Sequence, residues 1–264
     1  MRTRTSVTAA VFALIAATLA GCAAAPTGTV DSAVTADPST PLTELTFLTD
    51  PHSYVGQSTA ILSTDAIPTP DTAPEQSLPA TVSSHDLDGD VPVTVTSTDR
   101  IVAMDLSGSI AATVYGLGLG DSMVGRDIST TFSQAADLPV ITSSGHTVNS
   151  ESILALRPTL VITDGSIGPI DVVLQLREAG IPVVFVETTP SIDGVGELAR
   201  QVSAALGAPA AGEMLAQSLV SGIEAKVSEI ASVVPSGKPL RMMFLYLRGT
   251  SGIYYLFGKE SGAD

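Results

Sequence analysis

Tryptophan is absent from this 264-residue chain, cysteine occurs once, and aromatic residues make up only 4%. A single thiol excludes an internal disulfide and any metal site built from paired cysteines. Basic residues are scarce as well, 12 against 27 acidic ones, for a formal charge of −15. That balance excludes the Lys/Arg footprint a nucleic-acid polyanion requires. Several catalytic signatures are also missing. G-x-x-x-x-G-K-[ST], G-x-S-x-G, H-E-x-x-H and C-x-x-C do not occur, which removes the best-marked nucleotide-dependent, hydrolytic, metalloprotease and thiol-redox classes. The glycines of "GLGLGD" fall at 116, 118 and 120 and are followed by Asp121. A dinucleotide fingerprint needs G-x-G-x-x-G directly after a strand, whereas this run closes a helix.

What is present begins with export. Arg2 and Arg4 precede an apolar run from about Val7 to Ala20, too short for a comfortable transmembrane helix and laid out like a secretory signal over 1–21. The run ends in Leu19-Ala20-Gly21-Cys22, which resembles a bacterial lipobox. That pattern implies cleavage before Cys22, a diacylglycerol thioether on its sulfur, and anchoring to the outer face of the cytoplasmic membrane. Residues 22–98 are rich in Pro, Thr, Ser and Asp, so they are expected to be a tether and an irregular segment. Short strands are expected in it at "ATVSS" and "VPVTVTS".

The texture changes after Asp99. Apolar runs "RIVAMD", "MVGRD", "TLVITDG" and "IPVVFVE" alternate with helical patterns over 99–208, the signature of βαβ units and an α/β fold with a parallel sheet. Ligand sites in such sheets gather beyond the carboxyl ends of the strands. Asp105 to Ser109, Gly145-His146 and Asp164-Gly165 are therefore expected on one rim. Residues 209–234 carry apolar positions at helical spacing and predict one long connecting helix. Residues 235–264 open with a new strand in "RMMFLYL" and are expected to start a second α/β lobe. Only 24 residues follow Leu240, fewer than the ~50 of a small domain. The second lobe is therefore expected to be incomplete and its first strand to lack sheet partners.

Within that strand, "FLYLRG" puts Tyr246 and Arg248 two positions apart, on one face. A ferric ion suits an anionic phenolate, but free tyrosine has a pKa near ~10. An adjacent guanidinium, which does not deprotonate, favours the ionised form.

The order of signal, acidic linker, βαβ lobe, connecting helix and second lobe resembles the class III substrate-binding proteins of bacterial ABC importers. "DPHSYVGQSTA", "GLGLGDSMVGRDISTTFSQAADLPV", "GHTVNSESILALRP" and "LYLRG" are similar to the HmuT-like hemin-binding lipoproteins of Gram-positive bacteria. The resemblance implies a lipid-anchored protein that captures ferric haem outside the cell. It would deliver its cargo to an ABC permease with a cytoplasmic ATPase, and would not itself be an enzyme. It further implies ligation of the haem iron by His146 and Tyr246, with Arg248 beside the phenolate. The other nitrogen of His146 would be held by an acceptor. Backbone N–H groups in "DLSGS" could hold a propionate, although Asp105 works against that. A ferric siderophore or cobalamin carrier of the same class is the alternative. A haem-degrading enzyme would need an open iron position that a His/Tyr pair fills, and an adhesin would need no cleft. His52 and His85 read as solvated side chains, Tyr254 and Tyr255 as strand residues, and Met242 and Phe244 as sharing the face of Tyr246.

Overall fold

The computed structural model describes residues 40–48, 50–56, 62–143, 146–234, 238, 241, 243, 245–248 and 253–257. The signal segment and Cys22 lie outside them. Contacts divide the chain into Met1–Thr40 and Pro41–Asp264, and every element below belongs to the second unit.

A four-stranded parallel sheet forms its centre, from β3 (Ile101–Met104), β4 (Met123–Arg126), β7 (Leu160–Thr163) and β8 (Val183–Phe185), in the order β4-β3-β7-β8. Its strands read as near-continuous apolar runs because both faces are covered. Ile101 and Ala103 point into a core shared with Ile110 and Val114 of α1 (Ser109–Gly116) and Leu198 and Val202 of α4 (Ile192–Ala205). Val102 and Met104 point the other way. They meet Ile153 of α2 (Ser150–Ala155) and Val173 and Leu176 of α3 (Ile170–Glu178). The period-two alternation of a strand thus builds two cores from one sheet.

The expected strands in the N-terminal segment form an antiparallel hairpin, β1 (Ala80–Asp86) with β2 (Gly89–Val95). It is fastened to β8 through one buried hydroxyl. Ser84 Oγ accepts from Phe185 N at 2.8 Å and from Arg177 at 2.9 Å, and donates to Asp86 Oδ1 at 2.7 Å. Upstream, Ile67 exchanges two hydrogen bonds with the amide of Gln134, each 2.7 Å. This segment is therefore docked on the lobe at defined points.

The expected long helix is α5, Pro209–Val233, with proline in its first turn, where its missing N–H is no loss. Its first turns cross α4 at close range. A Cβ added at Gly212 would lie 1.6 Å from Ser203 Oγ, and Ser203 is fully buried. Gly212→Ala is expected to destabilise the chain by about 1–3 kcal/mol through overpacking. Gly222 faces open space on the same helix, and Gly222→Ala should instead stabilise by up to about 1 kcal/mol. Urea unfolding of the two variants reads that opposite sign.

After the helix, β9 (Leu245–Arg248) pairs antiparallel with β10 (Ile253–Leu256). This corrects the expectation that the strand at "RMMFLYL" lacks a partner. The run "IYYL" supplies it, because two β-prone stretches only four residues apart in sequence can pair locally.

Candidate functional site at the strand carboxyl ends

The strand order places β3 beside β7 although β4 intervenes in the chain. Connections leaving β3 and β7 run to opposite sides at such a switch point, where ligand sites commonly gather. Leu106 N, after β3, donates to Ser166 Oγ, after β7, at 3.0 Å. The expected shared rim of the Asp105 and Asp164 loops is present.

Asp105 and Asp127 are fully buried at the ends of β3 and β4. Asp105 Oδ2 accepts from Ser109 N at 2.9 Å and from the hydroxyls of Ser107 and Ser109 at 2.5 and 2.9 Å, while Oδ1 accepts from Ile110 N at 3.2 Å. The N–H groups at the start of α1 are taken by the protein's own carboxylate, so "DLSGS" offers no vacant propionate cradle. Asp127 accepts from Asp105 N at 3.0 Å, Ser129 N at 2.7 Å and Thr130 N at 2.8 Å. Burial nonetheless pushes its carboxyl above the usual range, against those hydrogen bonds and with the charge of Asp105. A cavity of about 390 Å3 lies over these loops, bordered by Ser107, Gly108, Ser129, Thr131, Asp65 and Ile67. A larger groove of about 640 Å3 runs between α4 and α5, past Asp193, Glu197, Arg200 and Glu224. It contains none of the rim residues.

His146 stands on this rim. Strands β5 (Thr142–Ser143) and β6 (Thr147–Val148) pair antiparallel. His146 directly precedes β6 and takes a left-handed backbone, φ 61°, a conformation that glycine adopts most readily. A non-glycine residue there is uncommon, though histidine is among those that adopt it most often; Arg157, at φ 48°, is another among the described residues. His146 N donates to Ser143 O at 3.2 Å, and Val148 N donates to Gly168 O at 2.8 Å. The ring is half-buried, and its Nδ1 is buried without a hydrogen-bond partner among the described residues. The expected acceptor for that nitrogen is therefore not found. Among the described residues, the hydrogen bonds that place His146 are those of its backbone and of the hairpin beside it.

Tyr246 and Arg248 lie in β9, opposite Tyr255 and Ile253 in register, so the two-residue strand spacing holds. Their side chains, and Met242 and Phe244, lie outside the described residues. Tyr254 and Tyr255 are exposed on β10. His52 Nε2 lies 2.9 Å from Lys238 O, and His85 Nδ1 lies 2.9 Å from Asp90 Oδ1. Among the described residues no group of three His, Cys, Asp or Glu side chains could hold a metal ion on its own, and no helix is long and apolar enough to cross a membrane.

Two residues the sequence did not single out, Ser166 and Thr142, help organise this rim. Ser166 Oγ accepts from Leu106 N and donates to the expected Asp164 at 2.5 Å, Ser166 N donates to Asp164 at 2.9 Å, and Thr142 Oγ1 accepts from Ile128 N at 3.0 Å. Their only sequence signal is a polar residue just past an apolar strand.

The chain is similar to solved structures of the heme binding protein HmuT. One shares 40% identity at a TM-score of 0.72 and covers 80% of this chain and 66% of that chain. Related HmuT structures carry alanine in place of an arginine, of a tyrosine two positions before it, and of a histidine about a hundred positions earlier. The periplasmic heme-binding protein RhuT from Roseiflexus sp. RS-1, in apo form, is 34% identical at a TM-score of 0.55, covering 63% of this chain and 61% of that one. An uncharacterized ABC transporter substrate-binding lipoprotein of Bacillus subtilis (strain 168), YvrC, is 30% identical over 113 residues, 42% of this chain and 35% of the relative. The chain thus spans about two thirds or less of each relative's length. The periplasmic binding protein family model matches residues 101–264, and with the parallel sheet, the long helix and the switch-point rim already described, the chain belongs to that family.

Proposed function

We propose that this protein is a lipid-anchored carrier that captures ferric haem outside the cell and hands it to an ABC importer, without chemical turnover. The observation that carries the proposal is His146, a non-glycine residue in a left-handed backbone on the switch-point rim. Support comes from the spacing of His146, Tyr246 and Arg248, which follows that of the three residues replaced in HmuT.

In this mechanism haem b enters as cargo. His146 approaches the iron from the first lobe through Nε2, because Nδ1 is turned into the protein. Tyr246 approaches from the other side as the phenolate, a hard anionic donor matched to ferric iron. Arg248 neutralises the phenolate and raises the population of its ionised form at neutral pH. With both axial positions filled, the iron has no open site for oxygen, which suits carriage over degradation. Docking on a membrane permease, driven by a cytoplasmic ATPase, then releases the haem. Cys22 supplies the anchor that keeps the carrier at the outer face of the membrane.

The test is an absorbance titration of hemin into a soluble form beginning after Cys22, beside His146→Ala. A saturable one-to-one ferric spectrum that His146→Ala shifts toward single-ligand character is expected. A spectrum identical with and without the imidazole would remove His146 as a ligand. Binding of a ferric siderophore or cobalamin in place of hemin would move the protein to the other branch of the class.

A further inference from the structure

We infer that Ser166, oriented by Asp164, is a positioning residue for His146; the role of His146 itself rests on the haem reading above. The inference starts from an unmet need. A ligating imidazole usually donates its second N–H to an acceptor that fixes the ring, and Nδ1 of His146 has none among the described residues. Among the described residues, the contacts that place His146 run through its backbone, which sits in a left-handed conformation. Whatever fixes that backbone fixes the ligand.

Four hydrogen bonds between loops close into a circuit around the rim. Asp105 N, after β3, donates to Asp127 Oδ2, after β4, at 3.0 Å. Ile128 N, in the β4 loop, donates to Thr142 Oγ1 of the His146 hairpin at 3.0 Å. Val148 N of that hairpin donates to Gly168 O, in the β7 loop, at 2.8 Å, and Thr147 forms a parallel bridge to Gly168. Leu106 N, back in the β3 loop, donates to Ser166 Oγ of the β7 loop at 3.0 Å. Each loop is tied to two others, so displacing one strains the rest.

Ser166 closes this circuit at the switch point. Its hydroxyl is aimed by donating to Asp164 Oδ1 at 2.5 Å, which leaves its lone pairs toward Leu106 N. Asp164 Oδ2 also accepts from Thr188, after β8, at 3.3 Å, bringing the fourth strand's loop into the same hub. Ser166 is exposed and adds nothing to either core. Removing its hydroxyl therefore opens the circuit at one point and leaves the packing intact. The β7 loop is then freed from the β3 loop, and Gly168, the rail on which the His146 hairpin rests, moves with it.

The experiment compares the unaltered chain with Ser166→Ala and with Ser166→Thr, which restores a hydroxyl. The chain has three histidines, so ring-proton NMR resonances can be assigned with His52→Gln and His85→Gln. In Ser166→Ala the His146 resonances are expected to shift and broaden, those of His52 and His85 to stay in place, and the thermal midpoint to move by only a few degrees. Hemin dissociation should speed up about tenfold, in the range seen when outer partners of metal ligands are removed. The spectrum should move toward that of His146→Ala, and Ser166→Thr should restore both. Unchanged His146 resonances in Ser166→Ala would overturn the inference, as would a general loss of fold that Ser166→Thr does not restore. If the unaltered chain binds no hemin, the haem reading fails, and the resonances alone still decide whether Ser166 positions His146.

Discussion

Replacing Tyr246 by alanine is expected to weaken hemin binding by about a hundredfold or more, while Tyr255→Ala changes it by no more than a few-fold. Loss of outer partners alone weakens metal sites by about 10–100-fold, and Tyr246 is proposed as the ligand itself, the one anionic donor to a hard ferric ion. Tyr255 is its cross-strand neighbour in β10. It occupies the facing position of the partner strand and is not proposed as a ligand, which makes it a control. Arg248→Ala should fall between the two, since the phenolate would remain and lose its charge partner. Competition titrations against a second haem binder would rank the three. Equal losses for the two tyrosines would withdraw Tyr246 as the ligand.

The largest stability effect is expected at Arg177, far from the proposed haem ligands in sequence. Its guanidinium donates to both oxygens of Asp86, to Ser84 Oγ and to Val183 O, and lies 5.4 Å from the centroid of the Phe185 ring. It rivets the β1–β2 hairpin to the edge of the parallel sheet. The side chains of Arg177 and Asp86 are 25% and 14% exposed, so solvent repairs a broken pair only in part. Arg177→Ala is expected to lower stability by about 3 kcal/mol. Arg177→Lys should recover little of this, because a point charge does not reproduce the fork.

The same pair sets a pH dependence with a definite sign. Burial opposes ionisation of Asp86, but hydrogen bonds from Arg177 and Ser84, with the guanidinium charge, outweigh it and hold the carboxyl below its usual value. Its contribution is present above the ordinary aspartate pKa of about 3.9 and is lost as the pH falls through the lower folded value. Asp127, pushed upward, acts in the opposite sense. It favours the native state while protonated, and that contribution fades as the pH rises through its raised value. Urea midpoints measured from about pH 2.5 to 7 should show a shallower acid limb in Asp86→Asn.

Much of this lobe could be read from the chain because its signals are local. Strands β3, β7 and β8 announce themselves as short apolar runs, since helices cover both faces of the sheet. The start of α2 is marked by Asn149, whose side chain accepts from Ser152 N at 3.0 Å. The hairpin of β5 and β6 is harder to see, with only two residues in each strand, too few for any periodicity. The rim circuit leaves no sequence trace. Leu106 and Ser166 stand 60 residues apart, and nothing around either reports the other. The strand topology puts His146 on the rim and the family resemblance gives it a ligand role; its left-handed backbone and orphaned Nδ1 emerge only once the chain is folded.

That backbone also says what a chain shaped by stability alone would contain. A left-handed position in a tight hairpin favours glycine, and a residue with a Cβ gives up on the order of 1 kcal/mol or more there. Glycine at 146 would be the more durable choice and would remove the only imidazole on this rim. Histidine at 146 exchanges robustness for the ligand proposed above, the trade expected where a protein is tuned to hold something other than itself.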